Sequence, residues 1–84
     1  MTYEQRKAII NSHQFKTMEK GLAVLRLQHS ALKRLHIENS GFTDETADNL
    51  HNGYSRLDEA ITILSEAKNN LLLDEDFAKF LMKK

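Results

Sequence analysis

The chain has 84 residues, with 12 lysines and arginines balancing 12 aspartates and glutamates, and neither cysteine nor proline. Disulfides and thiolate metal sites are therefore excluded, and the length allows one domain, read here as a single all-helical domain over residues 1–84. A chain this short buries only roughly 60% of its unfolded surface, so a lone core is marginal and a second subunit is the stabilising device left open.

With three glycines and 29% charged residues, the composition suits helices. No apolar run approaches the ~18 residues of a membrane span, and MTYEQRKAIINSH lacks the apolar core of a signal peptide. The expected location is the cytoplasm, with no membrane contact. Charge is unevenly spread: residues 1–42 carry seven bases against three acids, and residues 43–84 five against nine. Two halves of opposite sign can pack together, or one can face a charged partner.

Thr2 followed by Gln5 predicts a capping box opening a short helix that holds Ile9 and Ile10. Asn11-Ser12-His13 interrupts it weakly, leaving open whether the segment is a separate helix or merges with the next. From about residue 14 to 38, Phe15, Met18, Leu22, Leu25, His29, Leu32 and His36 advance by alternating threes and fours. That is a heptad seam broken by two histidines. Asn39-Ser40-Gly41 ends it, and Thr43 with Asp44 and Glu45 predicts the next N-terminus.

The second seam, Ala47, Leu50, Tyr54, Leu57, Ile61, Leu64, Lys68 and Leu71, keeps its phase through Asn52-Gly53. That dipeptide is a strong turn signal. A turn would throw Tyr54 off the face that holds Leu50, whereas one interior glycine costs only ~1 kcal/mol against alanine. Residues 43–70 are accordingly predicted as one helix. Folding the helices back at 39–43 sets Phe15 against Lys68, Leu22 against Ile61, His29 against Tyr54 and His36 against Ala47, in one antiparallel register. Asp74 then predicts a cap for a short last helix with Phe77, Phe80 and Leu81 on its apolar face.

Val24, Ala31 and Leu35 lie beside the first seam, making the apolar surface of the first long helix wider than one partner helix covers. The terminal helices are expected to dock on that open flank, or a second hairpin completes a four-helix bundle by dimerisation. Gly53, at the edge of the second seam, marks a place where another backbone comes close. His29 and Tyr54 are expected to hydrogen-bond as a polar layer in the interface.

Lys16, Lys20, Arg26, Lys33 and Arg34 form a basic face on the first long helix that could follow a phosphate backbone. No catalytic, cofactor-binding or metal-ligating constellation is recognisable: His29 and His36 are seven residues apart, about 10.5 Å along the axis, and no HExxH or phosphate loop occurs. The expectation is a small non-enzymatic protein-binding regulator, adaptor or inhibitor, without a cofactor, acting as a homodimer. Its size fits accessory proteins of phages or mobile elements. The alternatives are an RNA-binding hairpin using the basic face, and an oligomer that sequesters a small ligand between subunits.

Overall fold

The computed structural model describes residues 1–38 and 41–83, and these form four helices with no strand among them. They are α1 (Tyr3–Ile10), α2 (His13–Glu38), α3 (Asp44–Leu71) and α4 (Glu75–Met82). Each boundary has a local cause. Thr2 and Gln5 close the capping box on α1, the Gln5 N–H donating to Thr2 Oγ1 (3.1 Å) and the Thr2 N–H to Gln5 Oε1 (3.0 Å).

Ser12 separates α1 from α2. Its hydroxyl donates to the Ile9 carbonyl (2.6 Å) and accepts from the Phe15 N–H (3.1 Å), so one buried side chain ends one helix and starts the next. Thr43 caps α3 through the Thr46 N–H, and Asp74 caps α4 through the Phe77 N–H. Gly41 has φ +80°, the left-handed conformation that glycine takes without a Cβ penalty. The Asn39-Ser40 part of the predicted turn, and the final Lys84, lie outside the described residues.

α3 runs unbroken through Asn52-Gly53, so the seam outweighs the turn dipeptide. α2 and α3 pack along each other as an antiparallel hairpin in the predicted register. Three layers mark it. The Lys68 ammonium sits 5.9 Å from the Phe15 ring centroid, Leu22 and Ile61 are both buried, and the His29 and Tyr54 rings meet edge-on at 5.7 Å. Each fully buried Leu or Ile adds about 1.5–3 kcal/mol of apolar burial.

The terminal helices differ from expectation. α4 packs chiefly on α1, not on the flank of the hairpin. Together they cap the end remote from the turn, where Ile9, Phe15 and Ala78 form a buried cluster with Leu71, Leu72, Phe77 and Leu81 against it. The reason is reach. Leu71 ends α3 level with the start of α2, and the next helix begins only four residues later at Glu75. A link that short holds α4 at this pole, where Ile9 and Phe15 already present apolar surface. The molecule measures 56 × 17 × 15 Å between its extremes.

Candidate interaction face

The two broad faces of the hairpin differ in chemistry. On one, Arg26 Nη2 donates to Ser65 Oγ (3.0 Å), and nearby Lys33, His51, Tyr54 and Asp58 line a polar groove of about 410 Å³ with His29. On the other, Met18, Gly21, Leu22 and Leu25 of α2 meet Leu64 and Ala67 of α3 around an apolar groove of about 170 Å³. A shallower groove continues it over Thr17, Lys20 and Val24.

A second heptad stripe explains the apolar face. On α2, Thr17, Gly21, Val24, Gln28, Ala31 and Leu35 advance by alternating fours and threes, as Asn49, Gly53, Arg56, Ala60, Ile63 and Ala67 do on α3. At about 100° per residue each stripe stands a quarter-turn from its seam. Because the helices are antiparallel, both stripes turn to the same side of the hairpin, the side of the Gly21–Ala67 groove. Within one chain this side is uncovered. Val24 is 55% exposed, Ile63 64% and Leu35 40%, and Ala31 is exposed as well. A Cβ built on Gly21 or Gly53 would meet nothing within 4 Å.

The polar layer is arranged differently from the expected one. Tyr54 Oη lies 3.2 Å from His36 Nδ1, not on His29, which meets the tyrosine ring only by its edge. Helical side chains lean toward their own N-terminus. Tyr54 therefore leans toward the turn while His36 leans away from it, and the two converge; His29 leans away from Tyr54. His51, which sequence reasoning passed over, closes the cluster at 5.2 Å from Tyr54 and 5.4 Å from His36, centroid to centroid. Its position three residues before Tyr54 was the available signal. Among the described residues no group of three or more His, Asp or Glu side chains is placed to hold a metal ion.

The five basic residues do not make one face. All are exposed, but Arg26 and Lys33 lean onto the polar side, Lys33 close to the acids Asp58 and Glu59. Lys20 borders the apolar side. Lys16 and Arg34 share with it the outer edge of α2, away from α3. The aromatic residues of α4 divide too. Phe77 and Leu81 pack on the pole cluster, whereas Phe80 is 59% exposed and stacks on Phe77 with centroids 6.2 Å apart.

Comparison with known proteins adds no relative: no family model, curated protein or solved structure matches the chain. The architecture and the two contrasting faces are what bear on function.

Proposed function

We propose that this protein is a small protein-binding regulator, adaptor or inhibitor without catalytic activity, and that it acts as a homo-oligomeric helical bundle, with the dimer as the working unit. The observation that carries this reading is the uncovered apolar stripe on both long helices. Isolated exposed apolar residues are ordinary, but Val24, Ala31 and Leu35 of α2 turned to the same side as Ala60 and Ile63 of α3 make a surface that a further helical layer covers. The division of the basic residues between two faces, with Lys33 next to acids, favours protein over RNA as the partner.

Light scattering over a wide concentration range tests it. Twice the chain mass is expected for the wild type. Ile63→Asp, a charge placed on an exposed position of the strip, should give a monomer of unchanged far-ultraviolet circular dichroism. A wild type that is monomeric throughout overturns the bundle. RNA retained at low salt, and released by Lys20→Glu with Arg34→Glu, would replace protein binding by the RNA reading.

A further inference from the structure

We propose that the apolar face is occupied by a second copy of this chain, related by a twofold axis parallel to the long helices, so that α2 of each copy lies antiparallel on α3 of the other. The proposal rests on the homo-oligomeric reading above and adds the face and the arrangement. A face of this kind could also meet its copy about an axis perpendicular to the helices, with α2 on α2. Size and charge separate the two.

A twofold parallel to the helices keeps every residue at its own height. Residues that stand level within one hairpin then stand level across the interface. Gly21 of one copy faces Ile63 of the second, so the largest apolar side chain of the α3 stripe enters the space left by a missing one. Val24 faces Ala60, again large on small. Ala31 faces Gly53, where the two backbones approach most closely, and Gln28 faces Arg56 as a central polar layer that fixes register. The open space around both glycines in the single chain is the room this packing uses.

Charge points the same way. The outer edge of α2 carries Lys16, Lys20 and Arg34, with Glu38 as its acid beside the turn, whereas the outer edge of α3 carries Glu45, Glu59 and Glu66. The parallel axis lays each basic edge along an acidic one, with Lys20 level with the interval between Glu59 and Glu66, and Arg34 within two turns of Glu45. The perpendicular axis lays base on base and acid on acid, which is repulsive. The unequal charge of the two halves of the sequence then belongs to the contact between copies.

The footprint is adequate. The stripe from Thr17 to Leu35 is about 27 Å long, and the molecule is 17 Å across. Side chains projecting from both helices widen that strip toward the ~800 Å² per partner of a standard interface. Pairing leaves the His29–His51–Tyr54 groove facing outward on both sides of the dimer.

The chain has no cysteine of its own, so engineered pairs report the arrangement directly. Val24→Cys and Ala60→Cys proteins, unfolded together, refolded as a mixture and oxidised, are expected to give a covalent dimer. Neither variant oxidised alone should, because 24 meets 60 and not itself. Leu35→Cys with Asn49→Cys is a second pair should the first refold poorly. A covalent dimer from Val24→Cys alone, or none from either mixture while light scattering still shows a dimer, overturns the parallel-axis arrangement and leaves the homo-oligomer standing. A monomer in light scattering overturns both.

Discussion

Phe15→Ala is expected to destabilise the fold by about 3–5 kcal/mol, a large part of the 5–15 kcal/mol typical of a whole domain. Phe15 is 5% exposed and serves two structures at once. It is the first layer of the hairpin seam, with the Lys68 ammonium over its ring, and it joins Ile9 and Ala78 in the cluster that holds α1 and α4. Truncation removes the ring from both and leaves a cavity that two short helices cannot close without leaving their own contacts. Urea unfolding followed by circular dichroism measures the loss. Leu27→Ala, at a site 71% exposed, should stay within about 0.5 kcal/mol of wild type. Equal losses at the two positions would mean that the pole is not packed as described.

Tyr54→Ala should rank second, at about 3 kcal/mol or more. Its ring is buried among His29, His36 and His51, all within 5.7 Å centroid to centroid. Tyr54→Phe keeps the ring and deletes only the hydroxyl facing His36 Nδ1. It should therefore cost about 1 kcal/mol, the net value of one hydrogen bond. The interval between the two variants, read from the same unfolding curves, divides packing from polar contact. If phenylalanine is as damaging as alanine, the hydrogen bond organises the cluster and the ring only accompanies it.

The long hairpin could be read from the chain because its information is periodic and repeated. Seven layers of seam constrain the phase so strongly that Asn52-Gly53, a turn signal of two residues, cannot break it. Caps were legible for a similar reason: Thr2, Thr43 and Asp74 each act within three residues on their own backbone. Ser12 was missed as a cap because Asn11-Ser12-His13 reads equally as a break or a weak continuation, and the cost of burying its hydroxyl appears only with Ile9 and Phe15 in place.

Residue-level contacts across the seam were less legible. The register pairs Tyr54 with His29, yet hydrogen bonding follows the lean of side chains along each helix and selects His36. Likewise Val24, Ala31 and Leu35 were visible as a flank, but their continuation onto α3 through Ala60 and Ile63 is interrupted by Arg56 and small residues. Those residues carry almost no hydropathy signal until the antiparallel geometry turns the two stripes to one side. Where α4 docks depended on the length of a link, which apolar pattern does not encode.

The pairing of α1 with α4 has a kinetic side. α2 and α3 are neighbours in sequence and meet through a short turn, so their contacts form at little loop-closure cost and zip progressively away from Gly41. Ile9 and Ala78 come from opposite ends of the chain and can meet only after that zipper has brought the two ends together. The pole is then expected to assemble after the hairpin. One short chain thereby joins its two ends through contacts that are local in space and remote in sequence.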